Sequence, residues 1–370
     1  MSGAPEVFFA GGGTGGHVFP NVAVAQRLSA MGRAVSPRFV VSTRPIDAQV
    51  LEGTRYAVTP VAAVPFTAHP LRLPRFLVSY RRALGHCREL IARYRPAAVI
   101  ATGGFVSGPV VKAAAKAGVS VALVNLDAVP GRANRWCARD ATAVFSVYPV
   151  QALKRAQRIG LPLRDEAREH VPPEAARRSL GLDPQWPTLL VTAGSQGAST
   201  INRMMIELVG RTQHHRTFEG WQLLHLAGRQ DVAAVRQAYA AAGVAARVET
   251  FCRRMGLAWS AATLAISRAG AGSVAEAWHH ATPTIFMPYP FHRDDHQRRN
   301  AEPLVTAGGA MLVRDRVEAI PNVAEVAGPM VSLMTGEARR AKMREAASAT
   351  RPIDGADVLA KWLVSVGAAG

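Results

Sequence analysis

Residues 11 to 20 read Gly11-Gly12-Gly13-Thr14-Gly15-Gly16-His17-Val18-Phe19-Pro20, five glycines with one hydroxyl and one imidazole among them. Those residue types suit a particular chemistry. Glycine lets a backbone take positive φ and come close to a ligand. The first turn of a following helix offers free N–H groups and a positive dipole end to an anion or polyol. An imidazole, titrating near neutrality, can take a proton from an attacking hydroxyl. Two other uses of a glycine loop fit poorly. A dinucleotide site needs an acid roughly 20 positions on to hold a ribose, whereas the second apolar run, Arg38 to Ser42, exits through Ser42-Thr43-Arg44. No Walker lysine follows the loop, so a P-loop is not expected. A turn serving only tight strand–helix packing would have no need of His17.

The elements that must position these residues are visible on either side. Val7-Phe8-Phe9-Ala10 is a short apolar run suited to a buried strand, and Val22, Val24, Ala25 and Leu28 recur at helical spacing. The pattern repeats. A strand at Ala97–Ala101 leads to the glycine loop Thr102–Pro109 and a helix over Val110–Ala117, and another strand, Val119–Val124, precedes Asn125-Leu126-Asp127. From Tyr148 to Pro187 six prolines interrupt short charged pieces, and the interdomain connection is expected there. Leu189–Thr192 then restarts the arrangement with Ala193–Ser199 as a third small-residue loop. A strand over Thr263–Ile266 opens Ser267–Glu276, and one over Thr284–Met287 ends at Pro288–Asn300. Alternating strands and helices predict two doubly wound parallel sheets with ligand loops at the carboxyl ends of the strands. The expected division is 1–160, a connection at 161–187, a second domain at 188–350, and a closing helix within 351–370 that packs back on the first domain.

A chain of 370 residues with 49% apolar content can bury two cores. The N-terminal residues carry no basic, apolar leader pattern, and no apolar run of about 18 residues occurs, so neither a secretory signal nor a spanning helix is expected. Cys87, Cys137 and Cys252 are odd in number and without ligand spacing, which reads as buried free thiols. His292, Asp294, Asp295 and His296 crowd one loop, but no second cluster accompanies them, so no metal is expected. His214-His215 and His279-His280 read as surface pairs. The net charge of +18, from 44 Lys and Arg against 26 Asp and Glu, suits an anionic partner, although an arginine-rich composition alone accounts for much of it. The clustering is more telling: seven arginines and one acid, Glu89, lie between 70 and 95, interleaved with Leu71, Leu73, Phe76 and Leu77. Such a segment could rest on an anionic lipid surface or form a solvated helix face.

Five motifs in order make the chain resemble the lipid-linked N-acetylglucosaminyltransferases of bacterial peptidoglycan synthesis, in glycosyltransferase family 28. They are Gly12–Pro20, Gly103–Pro109, Gly194–Ala198, Ser267–Glu276, and His292–Asp294 with Gln297 and Asn300-Ala301. The resemblance implies a GT-B fold and an inverting transfer of GlcNAc from UDP-GlcNAc to the C4 hydroxyl of the muramoyl sugar of lipid I. It implies peripheral attachment to the cytoplasmic face of an anionic membrane, no cofactor, no metal and no nucleic acid. Carried over, Thr14, Gly15 and Gly16 are sugar-nucleotide contacts and Arg164 is an arginine near the diphosphate. Ser195 touches the nucleotide, Cys252 lies where a backbone group reads uracil, and Gln297 contacts the donor sugar. Ala271, Gly272, Ser273, Val274 and Ala275 form the loop and helix start below the diphosphate. Glu276 accepts from the ribose hydroxyls, with a helix-terminal role in the first turn as its alternative. Gly103, Gly104 and Ser107 fall on the acceptor side.

His17 is the candidate general base, or else positions the acceptor diphosphate. The chain departs from the family at Asn125-Leu126-Asp127, where Asp127 replaces an asparagine that the resemblance implies would contact the donor sugar or line the acceptor site. An ionised carboxylate accepts but does not donate and would repel a diphosphate. Another glycolipid acceptor, another nucleotide sugar, or a non-catalytic binding role are the alternatives it raises. Phe105 stands where a tyrosine is commoner.

Overall fold

The computed structural model describes residues 4–369 except 68, 70, 193–198, 212–215 and 292–293. The chain folds as two compact units, Met1–Arg164 with Pro352–Gly370, and Asp165–Arg351. In the first, strands β1 (Glu6–Ala10), β2 (Ser36–Ser42), β3 (Ala57–Val61), β4 (Ala98–Ala101), β5 (Ser120–Asn125), β6 (Ala143–Ser146) and β7 (Gln157–Arg158) pair in the order β3-β2-β1-β4-β5-β6-β7. Every pairing is parallel, and β1 is an interior strand, with Ala10 opposite both Val40 and Ala101. The second unit holds β8 (Thr188–Thr192), β9 (Gln222–Leu226), β10 (Ala246–Glu249), β11 (Leu264–Ser267), β12 (Thr284–Phe286) and β13 (Ala310–Leu312), again all parallel, in the order β10-β9-β8-β11-β12-β13. Strands buried on both faces explain the continuous apolar runs such as Val7–Ala10 and Leu189–Val191.

The strand order reverses beside β1 in one unit and beside β8 in the other. At such a switch point neighbouring strands send their helices to opposite faces, and the loops at their carboxyl ends leave a crevice between them. The loops after β1 and β4, and those after β8 and β11, are therefore where ligand chemistry is expected. Helices α1 (Gly15–Ala30), α2 (Pro45–Leu51), α3 (Leu73–Tyr94), α4 (Ser107–Lys116) and α5 (Arg132–Asp140) connect the first sheet. The sequence pattern starts the helix after β4 at Val110, but α4 begins three residues earlier, taking Gly108 and Pro109 into its first turn. In α3 the buried residues Phe76, Ala83, Cys87, Leu90 and Ile91 fall on one face, and Arg75, Arg81, Arg82 and Arg88 are among the residues exposed outside it.

The second unit begins with two short helices, α6 (Asp165–Arg168) and α7 (Pro173–Ser179), inside the proline-interrupted stretch. It continues through α8 (Ser199–Gly210), α9 (Gly228–Ala241), α10 (Met255–Ala261), α11 (Ala271–His279), α12 (His296–Thr306), α13 (Ala319–Thr335) and α14 (Glu337–Ala349). The chain then returns to the first unit. The Gly160 N–H donates to the Ile353 carbonyl at 2.8 Å, and a Cβ on Gly355 would collide with the Gly160 carbonyl oxygen. The closing helix α15 (Gly355–Ser365) packs on α1, where Arg27 pairs with Asp354 at 3.6 Å and with Asp357.

Candidate functional site

In the first unit the site is built on the exits of β1 and β4. Thr14 is the extended N-cap of α1 but makes no side-chain cap, and no acid stands in the first turn. The N–H groups of Gly15 and Gly16 thus start a helix whose positive end is not neutralised from within. The loop before it is held from below by a residue that the sequence pattern does not single out. Asp47, on α2 and fully buried, accepts from the Gly13 N–H at 2.8 and 3.0 Å, from the Ser42 N–H at 3.1 Å and from the Ser42 hydroxyl. Its only sequence signal is Leu51 four residues on, which shares its inward face. Arg44 donates to the Gly13 carbonyl at 3.0 Å and lies over the Phe105 ring.

The two glycine loops of this unit touch. Gly104, at φ +79, leaves no room for a Cβ, which would strike the Gly12 carbonyl oxygen; Gly103, at φ +105, abuts the Asn134 amide. The Thr102 hydroxyl donates to the His17 carbonyl at 2.6 Å. Ser107 is fully buried: its hydroxyl donates to the Gly103 carbonyl at 2.6 Å and accepts from the Gly103 N–H at 3.2 Å, so it shapes the acceptor-side loop from inside. Asn125 fixes the third loop, donating to the Asp127 carbonyl at 2.8 Å and to Ser146 at 3.1 Å while accepting from Asn134 at 3.0 Å.

His17, half-buried, sits at the centre of this arrangement. Its Nδ1 lies 3.3 Å from the Gly12 carbonyl oxygen and 3.4 Å from the Thr14 hydroxyl. A carbonyl only accepts, so Nδ1 carries the proton and Nε2 is left with the lone pair of a base. Burial lowers the imidazole below its ordinary value; the Asp127 carboxylate opposes this most, followed by the Gly12 carbonyl and Asp47. Half-buried Asp127 thus acts on the neighbouring histidine rather than standing apart from it. Arg164, at the end of the first unit, places its guanidinium 3.8 Å from the centre of the Phe19 ring on α1.

In the second unit α11 starts at Ala271, two residues earlier than a helix beginning after Gly272 would. Its N-cap is Gly270, which has no side chain to cap it, and its first turn contains no acid. The N–H groups of Ala271, Gly272 and Ser273 precede the first intrahelical bond, Val274 to Gly270. Glu276 is the sixth residue of the helix, past the first turn, so the helix-terminal alternative for it is overturned. Its Oε2 instead accepts from the indole N–H of Trp259 at 2.8 Å. Cys252 is half-buried, its thiol donating to the Arg254 carbonyl; burial is what chiefly pushes this thiol up, with the charges of Glu249 and Glu276 adding to it. The expectation of a buried thiol holds for Cys87 and Cys137, each pushed up to about 12 by burial, and not for Cys252.

The loops around α11 are tied by a buried ion pair that sequence reasoning also left unused. Arg268 pairs with Asp315 at 2.7 Å, reaches the Met287 and Pro288 carbonyls at 2.8 and 3.2 Å, and donates to the Thr200 hydroxyl at 2.5 Å. Asp315 in turn accepts from Thr200 at 2.6 Å, Asn322 at 2.9 Å and the Val317 N–H at 2.7 Å. The exits of β11, β12 and β13 and the start of α8 are thereby joined. Gln297, second in α12, accepts from the Tyr289 N–H at 2.9 Å. Ser195, His292 and the pair His214-His215 lie outside the described residues. Among the described residues no group of three or more His, Cys, Asp or Glu is gathered as for a metal.

His279-His280 is not a surface pair. His280 is buried and its Nε2 donates to the Ala167 carbonyl at 2.8 Å, while its Nδ1 lies 3.3 Å from that of His170. The end of α11 is covered by the segment that opens the second unit, which is why two polar residues there turn inward. Burial lowers both His279 and His280 to about 4.

The basic-apolar stretch of the first unit also has a defined surface. Leu71 is 86% exposed, and Leu77 and Val78 are exposed on the first turns of α3 beside exposed Arg72, Arg75, Arg81 and Arg82. Trp136 of α5, 48% exposed and unremarked in the sequence, meets the Phe66 ring at 5.4 Å; Phe66 meets Phe76 at 5.2 Å. No helix among the described residues is long and apolar enough to cross a membrane.

Residues 7–146 match the model of the glycosyltransferase family 28 N-terminal domain, and 188–355 that of its C-terminal domain. A protein of Clavibacter sepedonicus named UDP-N-acetylglucosamine–N-acetylmuramyl-(pentapeptide) pyrophosphoryl-undecaprenol N-acetylglucosamine transferase is 38% identical over 355 residues, 94% of this chain and 92% of its own length. A Nocardioides protein of the same name is 35% identical over 372 residues, 98% of each chain. Among solved structures, MurG of Acinetobacter baumannii shares the fold at a TM-score of 0.72 and 22% identity, over 98% of this chain and 99% of that one.

Proposed function

Because the chain belongs to glycosyltransferase family 28, we propose that it transfers GlcNAc from UDP-GlcNAc to the C4 hydroxyl of the muramoyl sugar of lipid I. The product is lipid II, the lipid-linked disaccharide unit of peptidoglycan. The observation that carries this reading is the start of α11, uncapped and free of acid, with Glu276 farther along the same helix and held by the Trp259 indole. A diphosphate, a ribose and a base are adjoining parts of one uridine nucleotide; the open helix start is assigned to the first, Glu276 to the second and segment 251–252 to the third. The relatives named for this reaction match nearly the whole chain, which supports the acceptor half as well.

The transfer is a single displacement. The C4 oxygen of the acceptor attacks the anomeric carbon as the bond from that carbon to the UDP oxygen breaks, inverting the configuration. Nε2 of His17 takes the hydroxyl proton, for which its tautomer and lowered basicity leave it neutral and ready near pH 7. Charge developing on the departing UDP is met by the N–H groups of Ala271, Gly272 and Ser273. Arg164 is assigned to the same anionic substrates from the first unit, Ser195 and Gln297 to the donor, and Thr14, Gly15 and Gly16 to the sugar nucleotide. Gly103 and Gly104 form the acceptor-side wall, with Ser107 supporting it. UDP-GlcNAc is a substrate, and no step is assigned to a metal.

Lipid I is embedded in a membrane, so the enzyme must work at its surface. The patch of Phe66, Leu71, Leu77 and Trp136 among arginines suits peripheral contact with the anionic cytoplasmic face. The reading is tested by mixing the protein with UDP-GlcNAc and a lipid I analogue and following UDP release. Release with UDP-GlcNAc and not with other UDP-sugars is expected; donor binding without release would overturn it.

A further inference from the structure

We propose that Trp259 is the residue that sets the orientation of Glu276 and, through it, the preference of this site for a ribonucleotide over a deoxyribonucleotide. The inference rests on the ribose role of Glu276 given above. It starts from a hydrogen bond of 2.8 Å, indole Nε1 to carboxylate Oε2, between residues on different helices, α10 and α11.

The indole is well suited to this task. Trp259 is 1% exposed and packs in the core that holds Leu190, Leu224, Ala258, Val274 and Ala277, so its N–H points in one fixed direction. Indole nitrogen donates and never accepts. The bond therefore needs an acceptor oxygen of Glu276 and draws that oxygen toward the core. A hydrogen bond to an ionised group is about twice as strong as a neutral one, enough to choose a rotamer for a glutamate with three rotatable bonds. Past the first turn of α11, Glu276 gains little from the dipole of that helix. A carboxylate is planar, so holding one oxygen against the indole sets the direction in which the other points, as a contact with two adjacent ribose hydroxyls requires. Cys252, in the segment assigned to the base, packs against the same core as Trp259.

A site built to hydrogen-bond a hydroxyl discriminates against the analogue that lacks it. The test compares binding of UDP and 2′,3′-dideoxy-UDP by calorimetry in the full chain. The wild type should favour UDP by on the order of tenfold or more. Trp259→Phe, which removes the N–H and keeps an aromatic ring in the core, should weaken UDP about 3- to 10-fold and leave dideoxy-UDP within about twofold, shrinking the ratio. A ratio unchanged in Trp259→Phe but collapsed in Glu276→Gln overturns the inference and spares the ribose reading. An unchanged ratio in Glu276→Gln removes that reading and the inference with it. Equal loss of both ligands in Trp259→Phe marks a packing role and also overturns it. Should Trp259→Phe not fold, the indole protons of the wild type decide. Of the six tryptophans, the one whose indole N–H resonance moves in Glu276→Gln should also shift on adding UDP and not dideoxy-UDP; no such shift overturns the inference.

Discussion

Both carboxylate oxygens of Asp47 lie within 3.0 Å of the backbone nitrogen of Gly13. The glycine loop, which looks open to an external anion, already holds an internal one at that nitrogen. What remains for a substrate is the start of α1 and the imidazole beyond it. Asp47→Ala would leave the Gly13 and Ser42 N–H groups buried without this acceptor, at a cost of about 1–3 kcal/mol for each stranded donor. Urea unfolding should show that loss, with kcat falling further than stability accounts for; unchanged activity in the folded fraction would show that the loop keeps its shape unaided.

His17→Ala should lower turnover by roughly 10²- to 10⁴-fold, the usual range for a general base, with little change in UDP binding. The pH profile carries a second check. Its acid limb should fall below the ordinary imidazole value of about 6.5, because burial lowers His17. Asp127 raises it, so Asp127→Asn should move the limb to still lower pH. A limb that stays in place would separate Asp127 from the base.

The second unit should be sensitive to acid. His279 and His280 are lowered to about 4, and His225, which lies between Tyr239 and Asn202, to about 3. Between about pH 6.5 and these values the unfolded chain binds more protons than the folded one, so stability rises with pH through that window. The contribution is complete above about 6.5 and is lost as pH falls toward 4. His280→Gln, able to keep the bond to Ala167, should flatten the dependence of the urea midpoint on pH between 6.5 and 4; an unaltered slope would assign it to other groups.

Flotation with liposomes should require anionic lipid. Replacing Arg72, Arg75, Arg81 and Arg82 by alanine should weaken it by on the order of 1 kcal/mol per arginine, and Leu71→Ser with Trp136→Ser should weaken it even at low salt. Binding that ignores both sets would move the contact elsewhere.

Much of this was legible in residue types. Glycines between an apolar run and a helical pattern mark strand exits, and those exits are where both switch points fall. Less legible were contacts that depend on distant elements meeting. Asp47 becomes an anchor only because α2 turns it beneath a loop 34 residues earlier in the chain. The place of Glu276 on its helix hinges on where α11 begins, and glycines at 270 and 272 leave that open by a turn. His279 and His280 look solvated until the segment around Ala167, more than a hundred residues away, is laid against them. Local composition carries propensity, not the identity of a partner that far along the chain.

The return of the chain across Gly160 and Ile353 sets an order of assembly. A ribosome delivers the second unit, Asp165–Arg351, whole before it releases α15. The α1 surface around Arg27 stays uncovered until residues 354–365 emerge. A chain stopped just short of Pro352 would carry every residue assigned to the donor in the second unit, yet would leave the helix that bears His17 without its final cover.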